Sequence, residues 1–302
     1  MAGILLQVND NVLTLVWAIR AFYLLSAVAI LTVRLLPAFA GRFLAYGARA
    51  RPSQADNHRD NQSVGMKFLD YLATLTVPHS WFIHFYVLSS TCSLNAVCAF
   101  YFHPYYEDGT DASPSLKPAA FCAHLMLIQG LRRLFECALV TRAGPSRMWV
   151  GHYAIGVAFY MVTNMAIWVE QLYQPAPTTL WTWRTLLCTL VFFAASIKQN
   201  HYHRYLSSLS KYTLPRESAF RYIVAPHYTM ECVIYLSLAI LDAPVGHNGR
   251  PTNINWTLLS ALAFVVVNLG VTADGTKEWE MGKFRDDSSE IIKRWKMIPW
   301  VH

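Results

Sequence analysis

The sequence predicts an all-α, polytopic membrane protein, a seven-transmembrane-helix bundle. Three observations predict it. Of 302 residues, 54% are hydrophobic and only 14% charged, against about 25% charged in ordinary soluble domains. That is too little charge to coat a soluble surface. Seven apolar stretches reach roughly the 20 residues that a bilayer-crossing helix needs. The loops between them alternate between basic and base-poor, the mark of a fixed orientation across a membrane. The same composition excludes disorder, which needs low hydrophobicity and dense charge. The net charge of +7 therefore need not mean nucleic acid, and no nucleic-acid partner is expected.

The stretches lie near 13–36, 78–102, 118–141, 148–171, 178–198, 219–242 and 256–274. Arg20 and Arg34 interrupt the first, and long arginine stems near helix ends can snorkel to the headgroups. It lacks a basic n-region and a clear cleavage site, so it is expected to act as an uncleaved anchor. The polar segment 50–63 reads as a loop. Arg42, Arg49, Arg51, Arg59 and Lys67 fill the first loop, whereas Glu107, Asp108 and Asp111 outnumber one lysine in the second. Arg142 and Arg147 follow, then a loop without Lys or Arg, then Arg204, Lys211 and Arg216. Only Arg250 lies in the sixth loop, before a tail with Lys277, Lys283, Arg285, Lys293, Arg294 and Lys296. The positive-inside rule then gives a lumenal N-terminus and a cytosolic C-terminus. Residues 1–302 form a single membrane domain, with 199–302 the expected cofactor-binding half.

Six cysteines, Cys92, Cys98, Cys122, Cys137, Cys188 and Cys232, fall in or beside apolar runs without CxxC spacing. They suit helix packing better than a zinc site or a disulfide framework. Of two glycosylation sequons, Asn61 falls on the cytosolic side and Asn255 almost at the bilayer, so neither suits an acceptor.

Ionisable groups inside spans are costly and are functional candidates by default. His79 reads most plainly as an interfacial helix end among aromatic anchors, whereas His84 and Tyr86 lie deeper. His79 and His84 are five residues apart, so their rings point in different directions. With no third ligand nearby, no metal is expected. In LIQGLRRLFECALV, Arg132 and Glu136 stand at i, i+4, as do Gln129 and Arg133. A self-satisfied intrahelical pair is one reading; a site for an anionic cofactor or a polar substrate head is the favoured one. Tyr153 and Tyr160 open the next span with His152; a tyrosine beside a bound carbonyl can donate a hydrogen bond, and tyrosines also serve as interface anchors.

The densest polar run follows the fifth span. Asn200, His201, His203, Arg204, Lys211, Arg216 and Arg221 lead into a helix with His227, Tyr228 and Glu231. A carboxylate inside an apolar stretch needs a partner. A phosphate-rich dinucleotide would match the segment: arginines for phosphates, carboxylate and amide groups for ribose and nicotinamide. Neither GxGxxG nor a P-loop is present, so no Rossmann domain is expected.

Several ordered pieces carry a family resemblance: WFIHFYV in the second span, QGLRRLFE at 129–136, HYAIGVAFY, QNHYHRYLSSL at 199–209, VAPHYTME at 224–231 and KEWEMGKF with IPW towards the end. Together they cover roughly residues 70–302. The chain resembles the steroid 5α-reductase superfamily, and most of all its polyprenol reductase branch. That resemblance implies an endoplasmic reticulum enzyme that binds NADPH from the cytosolic side and reduces an alkene conjugated to a carbonyl. It implies cofactor contacts from Asn200, His203, His227, Tyr228 and Glu231, with Trp279 and Lys283 nearby, and a reacting substrate end among the second and third spans. The family tail reads close to H-x-W-Y, whereas here Thr276-Lys277-Glu278-Trp279-Glu280 stands.

The expected partners are a polyisoprenoid lipid substrate and membrane lipids, and the expected net change is polyprenol to dolichol for protein N-glycosylation. Hydride adds readily to an alkene only when a conjugated carbonyl takes the charge, which favours the aldehyde, polyprenal to dolichal, as the reacting form. The developing enolate needs a donor, for which Tyr153, His84 and the Arg132–Glu136 pair are candidates. A 3-oxo-steroid 4-ene 5α-reductase or a membrane isoprenoid methyltransferase using S-adenosylmethionine are the alternatives. A receptor or transporter fits less well, because the polar groups gather at cytosolic helix ends instead of a midplane cavity.

Overall fold

The computed structural model describes residues 2–44, 63–102, 118–140, 144, 146–173, 182–210, 212–244 and 252–301. Helices account for nearly all of it: α1 (Ala2–Leu35), α2 (Pro37–Phe43), α3 (Val64–Thr74), α4 (Ile83–Phe102), α5 (Pro118–Phe135), α6 (Val150–Tyr173), α7 (Trp183–Ser208), α8 (Pro226–Leu241), α9 (Trp256–Lys283) and α10 (Ser288–Ile291). Each of the seven apolar stretches coincides with one of the helices α1 and α4–α9. Four of them, within Asp10–Leu35, His79–Phe102, Val150–Glu170 and Trp256–Lys283, are long and apolar enough to cross a membrane by length and composition. The other three lose hydropathy to their polar residues or are short: α5 carries Arg132 and Arg133, α7 carries Arg184, Lys198, His201, His203 and Arg204, and α8 has 16 residues.

Two places depart from the all-helical expectation. Strands β1 (Thr76–Pro78) and β2 (Arg147–Trp149) pair antiparallel at the starts of the second and fourth stretches. Arg147 ties them by donating to the Thr76 hydroxyl and carbonyl, both at 2.7 Å. The sixth stretch starts as a 3-10 turn, Ser218–Arg221, and α8 begins only at Pro226. Proline lacks the amide that would extend a helix backwards and disfavours a helical residue before it. The freed backbone pairs with the C-terminal tail instead: Trp295 donates to Tyr222 at 2.7 Å and Val224 to Trp295 at 2.8 Å.

The arginines of α1 pair with carboxylates of neighbouring helices. Arg20 donates to Glu170 of α6 at 2.7 Å and to Thr257 of α9 at 3.0 Å. Arg34 pairs with Asp274 and Glu278 of α9. Asn255 is fully buried as the N-cap of α9, accepting from the Leu258 amide at 2.9 Å and donating to Asp242. Asn61 lies outside the described residues. Around these anchors α7 packs on α8, α4 on α5 and α1 on α9, with Tyr23, Phe159 and Phe264 meeting in the core.

Candidate functional site

Polar side chains from α4–α8 converge at one end of the bundle. Arg132 and Arg133 end α5 with Glu136 just beyond it, Gln199, Asn200 and His203 approach the end of α7, and Tyr86 and Glu231 lie in the first turns of α4 and α8. Alternating helix directions bring those ends together. Immediately after α5 the helix widens into a π turn, Glu136–Val140, a form often found at functional sites.

Glu136 is buried and is the hub of this network. It accepts from Arg132 and Arg133 of its own turn and from Asn200 at 2.5 Å, and its second oxygen lies 2.9 Å from Nδ1 of His203. Arg133 Nη1 donates to that same Nδ1 at 2.5 Å. Gln129 accepts from Ser196 at 2.9 Å and from Arg132 Nη2 at 3.0 Å, and donates to Gln199 at 3.1 Å. Gln199 in turn donates to Glu231, which ties α8 to the cluster. The Tyr86 hydroxyl accepts from Nε and Nη2 of Arg133 at 3.1 and 2.7 Å.

A cavity of about 900 Å³ opens against this cluster, near the upper size of small-molecule sites. Tyr86, Arg133, Tyr160, Gln199, His203, Tyr228 and Glu231 form its polar wall. Phe85, Ile155, Phe159, Phe264 and Leu269 form an apolar one. Arg34, Glu278, Trp279 and Lys283 also line it, and of these Glu278 and Lys283 are exposed at the rim. Lys283 sits 4.2 Å over the Tyr212 ring.

Of the residues weighed as site candidates in the sequence, His79, Tyr86, Arg133, His152, Tyr160, His203, Tyr228, Glu231, Trp279 and Lys283 line the cavity. Gln129, Arg132, Glu136 and Asn200 stand behind it as supports. Arg132 and Glu136 do pair, but Gln129 bonds Arg132 and not Arg133. His84 and Tyr153 meet each other at 3.1 Å outside the cavity, with Phe85 stacked on Tyr153 and lining it. They are therefore poorly placed as donors to a bound carbonyl. His227 is next to Tyr228, ring centroids 4.2 Å apart, and its buried Nδ1 has no hydrogen-bond partner among the described residues. His201 is exposed and touches the neighbouring Tyr202 ring, and Arg204 donates outward to Asn200 at 3.0 Å. Lys211 lies outside the described residues. Arg216 is engaged by Asp287 and Glu290, and Arg221 donates to the Arg216 carbonyl.

Sequence reasoning missed Gln199 and Ser196 as site residues, and it paired Arg133 with Gln129 where the structure pairs it with Tyr86. Gln199 adjoins a residue it did choose, Asn200, and one step along a helix turns a side chain by about 100°.

A family profile described as 3-oxo-5-alpha-steroid 4-dehydrogenase matches residues 147–302, just over half of the chain. The chain belongs to that family. The polyprenal reductase of Saccharomyces cerevisiae is 27% identical over 293 residues, 97% of this chain and 98% of that protein. Polyprenal reductase 2 of Oryza sativa subsp. japonica is 25% identical over 338 residues, 89% of this chain and 88% of that protein. The polyprenal reductase of Danio rerio is 25% identical over 53% of this chain and 54% of that protein. These matches put the chain in the polyprenol reductase branch of the steroid 5α-reductase superfamily, whose members are oxidoreductases acting on CH–CH groups. The profile takes in Gln199, His203 and Glu231, and the yeast match extends over almost all of the chain, Tyr86 and Arg133 included.

Proposed function

We propose that the protein is an NADPH-dependent polyprenal reductase. It saturates the α-isoprene double bond of a polyprenal, and so supplies dolichol for protein N-glycosylation. In this reading seven helices cross the endoplasmic reticulum membrane, with the N-terminus lumenal and the cavity and C-terminus on the cytosolic side. The observation that carries it is the pairing, in one cavity, of a hydrogen-bonding wall ending in Tyr86 and Arg133 with an apolar wall of aromatic and aliphatic side chains.

The donor set suits a pyridine dinucleotide. Gln199, His203, Tyr228 and Glu231 offer donors and acceptors for amide and hydroxyl groups, and Lys283 and Trp279 offer a cation and a ring face. His227, with its unpartnered nitrogen, packs against Tyr228 and backs that ring. When bound, NADPH supplies the hydride. Tyr86 accepts two hydrogen bonds from Arg133, so its own O–H proton is left to point into the cavity. It is the donor to the aldehyde oxygen, where negative charge gathers as the alkene is reduced. The Arg133 cation behind it makes that O–H a stronger donor. Glu136, Gln129 and Asn200 hold Arg133, Arg132 and Gln199 in register. Ile155, Phe159, Phe264 and Leu269 give the isoprenoid chain an apolar surface. An allylic alcohol has no carbonyl for Tyr86 to serve, which is the chemical reason for the aldehyde.

Purified protein in detergent is expected to oxidise NADPH when given a polyprenal, and to transfer no methyl group from S-adenosylmethionine. Turnover of a 3-oxo-4-ene steroid in place of the polyprenal would assign the same site to the steroid class, and no NADPH oxidation with either would reject the reading.

A further inference from the structure

Beside the large cavity lies a second one of about 10 Å³, enclosed by α4, α5, α6 and α8. Tyr86, Arg133, Tyr160 and Glu231 line both, so these side chains are the wall between them. Facing the small cavity are also Ser89 and Gln129. The Ser89 side chain is 1% exposed, and its hydroxyl has no hydrogen-bond partner among the described residues. Buried hydroxyls are rarely left so, because an unmade hydrogen bond costs more than a made one gains.

The space is one water molecule in size, about the smallest volume that holds one. A buried water also needs two to four polar partners, and Ser89, Tyr160, Glu231 and Tyr235 surround it. Gly130 lines it too, and a Cβ there would lie 3.4 Å from the Ser89 Oγ and 2.9 Å from the Ser90 Oγ, so a side chain would crowd the hydroxyl that faces the space.

We propose that this cavity binds a single water molecule that accepts the Ser89 proton and donates to Glu231 and Tyr160. Ser89 and Gly130 are then positioning residues. Through the water they fix two side chains whose other faces line the large cavity. The positioning role rests on the reductase reading; the water site itself does not.

A high-resolution structure of the full chain in lipid nanodiscs tests the site, and steady-state kinetics with NADPH and a polyprenal test the role. The expected map has a solvent peak within hydrogen-bonding distance of Ser89 Oγ in the wild type and none in Gly130→Ala. Ser89→Ala and Gly130→Ala should lower kcat about tenfold, the equivalent of one hydrogen bond, at unchanged KM. A dry cavity in the wild type overturns the site, and wild-type kcat in both Ala variants overturns the role. A wild type that turns over no polyprenal would reject the reductase reading, and with it the role, and the map would then decide the water alone.

Discussion

Tyr86 of α4 and Arg133 of α5 are joined by two hydrogen bonds, from Nε at 3.1 Å and Nη2 at 2.7 Å to the one phenolic oxygen. The oxygen's lone pairs are thereby used on the protein, and its proton is left for the cavity. A substrate carbonyl would find a preoriented donor backed by a cation.

Tyr86→Phe removes that proton and little else. Loss of one preorganised donor to a developing oxyanion costs about 10²–10³-fold in kcat. NADPH affinity, measured by fluorescence titration, should stay at the wild-type level. A variant with wild-type kcat would mean that another group serves the carbonyl.

Glu136 has a different task. With two arginines, an asparagine and a histidine around it, Glu136→Ala would leave two cations facing each other in a buried cluster. Breaking such a hub costs about 3–5 kcal/mol. The expected outcome is a large drop in thermal midpoint in detergent. Lost activity in a variant that melts like the wild type would instead mark Glu136 as catalytic.

Gly156 marks how closely α6 approaches α4. A Cβ at this position would lie 2.6 Å from Cζ of the Phe85 ring, which itself lines the cavity. Gly156→Ala is expected to cost about 1–3 kcal/mol by overpacking and to raise KM for a polyprenal as the ring is pushed inward. Unchanged KM and thermal midpoint would show that the two helices separate freely.

The tail is fastened by charge outside the apolar stretches. Hydrogen bonds from Arg294 and Arg216 hold the Glu290 carboxyl below the usual carboxylate range. Its folded pKa is thus lower than its unfolded one. The stabilisation is complete above the unfolded value and is lost as pH falls through the folded one. Glu290→Gln should therefore flatten the acid limb of a thermal-midpoint-against-pH curve and leave the neutral region nearly level. Superimposable acid limbs would count against the clamp.

The helices themselves were legible because length and hydropathy are properties of a segment. Their phase was not. A helix surrounded by lipid and by other helices is apolar on most sides, so no polar face told Gln199 from Asn200, or which of Arg132 and Arg133 Gln129 would reach. Only the neighbours in space do that: Gln199 reaches Glu231 and Arg133 reaches Tyr86. The same limit explains His84 and Tyr153, whose depth in the sequence suggested a role while the turn of their helices carries them to the far side of Phe85. The inward pairing of Arg20 was illegible for a related reason, since Glu170 is 150 residues away along the chain. The turn before α8 could have been read from Pro226 alone.

The central claim is that the chain adds hydride to the carbon–carbon double bond of a conjugated aldehyde held by Tyr86. The most direct measurement follows the label from NADPH dideuterated at C4 into product with purified protein and a polyprenal, read by mass spectrometry and NMR. The account predicts one deuterium at the β-carbon of a saturated aldehyde, and a sharp loss of product in Tyr86→Phe. Deuterium at the carbonyl carbon of an allylic alcohol, or no transfer at all, would contradict it.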